Sequence, residues 1–239
     1  MFKHLAFLIL VVLLACASIR AQQPSQAGTL ASQKIAAAGG GITFDAVASS
    51  AAGASASRTV SITVGTLTNG YMIVGVMIFG NSVSAMTFDT TQIPTKIDAN
   101  PAQEPNIELW GLKAPHSGTH DLIVTFTGSN DNAVGVMTFD GVNQTTSVGT
   151  AAWNNGTDAA PTVDVTSATG EMVVGIVSNN FNTTMTAGTG VTDKWNQGAS
   201  GSFATAAGGY KSGAATTTFV WALGVSKTWT IGGVSLKPV

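Results

Sequence analysis

One cysteine, Cys16, stands in the whole 239-residue chain, and only 9% of the residues carry charge. A single thiol excludes a disulfide framework. If the chain is cut after Ala21, as argued below, no cysteine remains, which removes thiol nucleophiles and Cys-ligated metals from consideration. Charge this sparse does not suit an ordinary cytosolic surface. Without Lys3 and Arg20 the ten basic residues fall to eight against twelve acidic ones, a net charge of −4. With no basic cluster, the electrostatic footprint of a nucleic-acid binder is missing. Glutamate occurs only at Glu104, Glu108 and Glu171, and beyond the first 21 residues histidine occurs only at His116 and His120. There is no G-x-S-x-G nucleophile elbow; Gly198-Ala199-Ser200-Gly201-Ser202 lacks both the pattern and the apolar strand before it. Nothing past residue 21 has the pattern of a long amphipathic helix.

What is present begins with a secretory signature. Lys3 and His4 precede an apolar run over residues 5–15, which is the length of a signal-peptide core and short for a bilayer span. Ile19-Arg20-Ala21 is an acceptable cleavage site, so residues 1–21 are expected to be a signal peptide. The alternative is acylation at Cys16, since Leu13-Leu14-Ala15-Cys16 loosely resembles a lipobox. Residues 22–41 are polar, then Ala-rich, then Gly39-Gly40-Gly41, and read as a flexible leader.

From Ile42 onward strand patterns recur about every ten residues, separated by Gly, Asn, Ser and Pro. Residues 59–64 alternate apolar and polar. Residues 70–79 form the longest apolar run outside the N-terminus and are expected to hold a strand, from Tyr71, that is buried on both faces or lies at the centre of a sandwich. In residues 107–112, Ile107, Leu109 and Gly111 should share one face, with Glu108, Trp110 and Leu112 on the other. Residues 122–126 and 134–139 read as a hairpin, and so do residues 217–221 and 229–236. The fold class expected is all-β, a β-sandwich or jelly roll.

The second half retraces the first. Gly70-Tyr71-Met72-Ile73-Val74-Gly75 returns as Gly170-Glu171-Met172-Val173-Val174-Gly175, and Thr138-Phe139-Asp140-Gly141-Val142 is echoed at residues 235–239. This is an internal duplication with a period of about one hundred residues, too long for a solenoid unit. Residues 42–142 and 143–239 are the two repeats, folding side by side or interleaved into one domain. The G-x-M-x-V-G-V segment at 70–76, I-E-L-W at 107–110, P-x-S-G-T at 115–119 and V-x-x-F-D-G-V-N-Q-T-T at 136–146 resemble the tandem β-sandwich (jelly-roll-like) repeats of secreted bacterial surface and phage tail-like proteins. The resemblance covers nearly all of the chain past the leader. It implies a fold and an extracellular location, and it carries no catalytic residues.

Few residues invite chemistry. His116 and His120, with Asp121, have metal-like spacing, but on a turn entering a strand rather than on a helix. Glu108, in phase with Trp110, invites a glycosidase or sugar-subsite reading; a solvated strand position is the plainer one. Asn130-Asp131-Asn132 lacks the periodic carboxylates of a calcium loop and suits a turn. No catalytic residue, metal or cofactor is therefore assigned. Among the five tryptophans, Trp153 and Trp195 adjoin Asn/Gly-rich stretches read as loops, residues 154–156 and 196–198, where a sugar could stack on them, and these two are the candidate ligand-binding residues. The expected function is a secreted or cell-surface, non-enzymatic structural or adhesion protein that self-assembles, with residues 22–41 as an arm. The alternative is a carbohydrate-binding module that meets extracellular polysaccharide through Trp153 and Trp195. No nucleic-acid partner and no membrane span past the signal are expected.

Overall fold

The computed structural model describes residues 41–100, 104–197 and 204–239. The expected signal peptide, the acylation site at Cys16 and all of the leader but Gly41 lie outside the described residues. Among those described, every regular element is a strand. In chain order the first nine are β1 (Thr43–Ser49), β2 (Gly53–Ala54), β3 (Ser57–Val64), β4 (Tyr71–Ile78), β5 (Val83–Phe88), β6 (Thr95–Asn100), β7 (Asn106–Lys113), β8 (Gly118–Phe126) and β9 (Asp131–Asp140). There follow β10 (Ala152–Asp158), β11 (Thr162–Thr166), β12 (Met172–Asn179), β13 (Met185–Ala187), β14 (Thr192–Gln197), β15 (Thr205–Ser212), β16 (Thr216–Leu223) and β17 (Lys227–Leu236).

They form four sheets, with antiparallel pairing. One central sheet has the order β1-β9-β4-β7-β6, with β2 also on β9, and the other has β10-β17-β12-β15-β14. Two three-stranded sheets have the orders β3-β8-β5 and β11-β16-β13. No helix of the described residues is long and apolar enough to cross a membrane.

Strand β4 shows why the sheets stack as they do. All eight of its residues are buried, as the uninterrupted apolar run required. Tyr71, Ile73 and Met77 enter one core with Val174, Ile176 and Trp195 of the other half of the chain. Met72, Val74, Val76 and Ile78 enter a second core with Val60, Phe88 and Leu122 of the β3-β8-β5 sheet. A third core joins Val173 and Val177 to Phe219 and Trp221 of the β11-β16-β13 sheet. The two central sheets thus face each other through a core to which both halves contribute, and each is backed by a smaller sheet. The smaller sheets bury one face only. In β3, Val60, Ile62 and Val64 are buried while Ser57, Thr59, Ser61 and Thr63 point to water.

Three expectations need correction. Strands β8 and β9 do not make a hairpin, and neither do β16 and β17; in both cases consecutive strands belong to different sheets. The burial pattern carries the reason: β8 alternates, while β9 is buried at eight of its ten positions. A one-face strand and a two-face strand suit an outer and a central sheet respectively.

Second, Gly75 and Gly175 are not equivalent, although both are central in the repeated apolar run. A Cβ on Gly75 would lie 2.5 Å from Ile176 Cδ1 in the facing sheet, whereas one on Gly175 would lie 2.5 Å from Phe219 on the opposite side. The literal offset is out by one residue, and one residue exchanges the two faces of a strand.

Third, residues 154–156, read as loop, belong to β10, and the Ala/Gly-rich residues 205–209 belong to β15. Tryptophans supply the packing that these strands lack. Trp153 stands opposite Gly232, Trp229 opposite Gly156 and Trp195 opposite Gly208, each with its ring over the glycine.

Candidate functional site

The two candidate tryptophans have different fates. Trp195 is 4% exposed. Its ring lies between Gly208 of its own sheet and Gly135 of the facing one. It is a core residue and cannot be the stacking platform for a ligand from solvent. The cause is a β-bulge in β14 between Asp193 and Trp195. A bulge adds a residue on one strand and breaks the alternation. Lys194 and Trp195 consequently turn to the same side, Lys194 placing its Nζ 3.9 Å from the Phe44 ring centroid.

Trp153 remains partly buried at the opposite edge of the stack, on β10. Its indole N–H donates to Asp98 Oδ2 at 2.9 Å. Asp98 follows a bulge in β6 between Lys96 and Asp98. Beside this pair runs an open groove of about 670 Å³, lined among others by Tyr71, Ile97, Asp98 and Gly111 and walled by residues 148–151. Tyr71 is 5% exposed and reaches over Gly111, where an added Cβ would meet its hydroxyl. Burial pushes the Tyr71 phenol up to about 12 from its ordinary 10.0. Because the folded state holds the phenol neutral, this contribution is complete below pH 10 and is lost as pH rises towards 12. It amounts to roughly 2 kcal/mol. Tyr71→Phe should therefore lose less stability than the wild type between pH 9 and pH 11.5, and urea unfolding at those two pH values measures the difference.

Glu108, read from the sequence as facing the same way as Trp110, does so, but it is 2% exposed. Its Oε2 lies 2.9 Å from Lys96 Nζ and accepts the Trp110 indole N–H at 2.9 Å. Its Oε1 accepts the Val83 N–H at 3.3 Å. Lys96 also lies 5.0 Å from the Trp110 ring centroid. Glu171 is paired with Lys237 at 2.6 Å, and Glu104 accepts the Gly80 N–H at 3.0 Å. Each glutamate has its own local partner, and these contacts join no two of them at one site.

His116 and His120 converge on Asp89 rather than on Asp121. Their Nδ1 atoms lie 2.7 Å from Asp89 Oδ2 and 2.8 Å from Oδ1 respectively. The hydrogen bond from His116 holds the Asp89 carboxyl below its ordinary value, helped by the charges on both imidazoles. With ring centroids 6.4 Å apart, the two imidazoles and the Asp89 carboxyl form a hydrogen-bonded clasp between the Asp89 turn and the start of β8. Among the described residues, no three or more His, Cys, Asp or Glu side chains are grouped to hold a metal ion. Asp131 and Asn132, read as part of a turn, open β9; Asn132 is 1% exposed, accepts from Arg58 Nε at 2.7 Å and donates to Ser55 and Asn130 carbonyls, so a cationic side chain is already bound there.

Sequence reasoning missed Tyr71, Asp98 and the 148–151 wall. Only the pairing of β6 with β7 and the approach of β10 bring them together, and no spacing along the chain signals that. No family model, curated protein or solved structure matches the chain.

Proposed function

We propose that the chain is a secreted, non-enzymatic protein of the cell surface or extracellular matrix, built by duplication of a β-sandwich and serving in structure or adhesion. The duplication is supported by strand order. Apart from the two-residue β2, each half threads five strands into a central sheet and three into an outer one in the same succession, and both carry a bulge at the corresponding edge strand, β6 or β14. This also agrees with the resemblance to tandem repeats of secreted bacterial surface and phage tail-like proteins.

The functional reading rests on one observation. The exposed faces of the outer sheets are rich in hydroxyl residues, Ser57, Thr59, Ser61 and Thr63 on β3 and Thr216 and Thr218 on β16, beside Asp121 and Ile123 on β8 and Asp164 on β11. Such faces suit broad polar contact with another surface, and the fold beneath them is rigid and apolar. Edge strands supply a means of assembly: β1, β6, β10 and β14 each end a sheet, and an unpaired edge accepts an added strand. Sedimentation velocity and negative-stain microscopy of residues 22–239 at several concentrations test this. Concentration-dependent oligomers or filaments that vanish when residues 22–41 are deleted are the expected result. A monomer at every concentration removes the assembly reading.

A second reading, carbohydrate binding, is favoured by the partly exposed Trp153 held beside Asp98.

A further inference from the structure

The two long edges of the central pair of sheets are built alike and filled differently. At one edge, Tyr210 pairs with Thr192, and the bulge in β14 brings Lys194 inward. Phe44 stacks on Tyr210 with centroids 5.5 Å apart, and Lys194 caps both rings. At the other edge, Gly111 pairs with Thr95 as Tyr210 does with Thr192, and the bulge in β6 brings in Ile97. Phe44 pairs with Phe139 on β9; Val148 bridges Leu236, which occupies the matching place on β17. Glycine and valine thus stand where the first edge has tyrosine and phenylalanine. Tyr71 reaches over Gly111 from β4, but no second aromatic stacks there at the Val148 position, and the groove of about 670 Å³ lies at that place. That volume lies within the usual range for ligand pockets.

We propose that this groove is a binding site for a neutral glycan, a short oligosaccharide or a chain end, with Asp98, held by the Trp153 indole, in its lining. The proposal rests on the carbohydrate reading above and supplies its site. Ile97, Leu112 and Val148 give the lining apolar surface, which suits the faces of a sugar ring. Hydroxyl partners surround it: Tyr71 Oη, Thr95, Thr150 and the Asp98 carboxylate. Charge selects the class. Lys96 is committed to Glu108 at 2.9 Å, which leaves Lys113 and Asp98 as one positive and one negative group at the groove. An anionic polymer would gain one contact and lose the other, while a neutral polyol can donate to Asp98 and accept from Lys113. A peptide adding as a strand to the 148–151 wall finds that backbone in use, since the Gly149 N–H donates to the Ser235 carbonyl at 2.8 Å.

The test is an NMR titration of ¹⁵N-labelled residues 22–239 with cellohexaose, xylohexaose and mannohexaose, with an oligogalacturonate as the anionic comparator. At least one neutral sugar should give saturable shifts at the amides of Ile97, Gly111 and residues 148–151. The double variant Tyr71→Met/Gly111→Tyr installs the pair found at the other edge, Met172 and Tyr210, and should weaken binding at least tenfold. If that variant does not fold, Val148→Phe fills the same space and should have the same effect. Glycan binding that survives in the folded plugged variant, or saturable shifts confined elsewhere, overturns the groove and leaves the carbohydrate reading standing. Binding of no neutral glycan, in solution or in a pull-down with insoluble polysaccharide, overturns both. Binding of the oligogalacturonate alone overturns the neutral class.

Discussion

Gly135→Ala should destabilise the protein by about 3 kcal/mol, the upper end of the cost of overpacking a core, or prevent folding altogether. In a strand this substitution would ordinarily help slightly, because alanine loses less backbone freedom than glycine. Here the sign reverses. A Cβ on Gly135 would lie 2.0 Å from Trp195 Cε2 and 2.3 Å from Cζ2. The indole cannot retreat, because Gly208 lies under its other face, where an added Cβ would sit 2.5 Å from Nε1. Two glycines from opposite halves of the chain hold one ring, so relief on one side is a clash on the other. Urea unfolding should show a lower midpoint at unchanged slope. Gly41→Ala, where nothing lies within 4 Å of the added carbon, is the control and should change little. Trp195→Leu alone leaves a cavity and costs roughly 2–5 kcal/mol. Combined with Gly135→Ala it should cost clearly less than the sum, because the added methyl then has room. Strict additivity would mean that the ring and the glycine do not hold the two central sheets together in solution.

The same residues mark how far the sequence could be read. The strand over residues 71–78 and the two faces of residues 107–112 follow from composition and alternation alone, because a strand's period is fixed and burial on both faces demands an unbroken apolar run. Trp195 could not be placed that way. Alternation from Thr192 sets Lys194 and Trp195 on opposite faces, and only the bulge between Asp193 and Trp195, which leaves no mark in the sequence, puts them on one. The Gly/Ala strand β15 was hidden for a related reason. Its own side chains do not specify a strand; the Trp195 ring over Gly208 and the Thr192 carbonyl against Gly209 do, and both come from β14. At the candidate site the tryptophan beside the groove was legible as a residue type, while Asp98, which follows a bulge, was not.

Lys96→Met should cost about 2–3 kcal/mol, at or just below the low end of what is lost when a buried ion pair is broken by removing one partner. Glu108 is 2% exposed and would keep only two neutral donors, the Trp110 indole and the Val83 amide. Lys96 itself is 40% exposed, so water reaches the ammonium side of the pair and holds the loss below that of a fully enclosed one. Glu108→Gln should cost less, because the amide oxygen still accepts from Trp110 or Val83 and no charge is left behind. The double variant Lys96→Met/Glu108→Gln should then be more stable than Lys96→Met alone, since the uncompensated charge has gone. This cycle separates two accounts of the same carboxylate. If Glu108 is a scaffold residue, any glycan binding in the groove stays within a factor of two in Glu108→Gln while the stability cycle shows coupling with Lys96. A glycosidase role predicts the reverse: hydrolysis of a glycan that disappears in Glu108→Gln, with no coupling to Lys96 in stability. The enclosure of Glu108 by lysine, indole and amide, at 2.9, 2.9 and 3.3 Å, favours the first outcome, because a carboxylate so held has little room to meet a substrate.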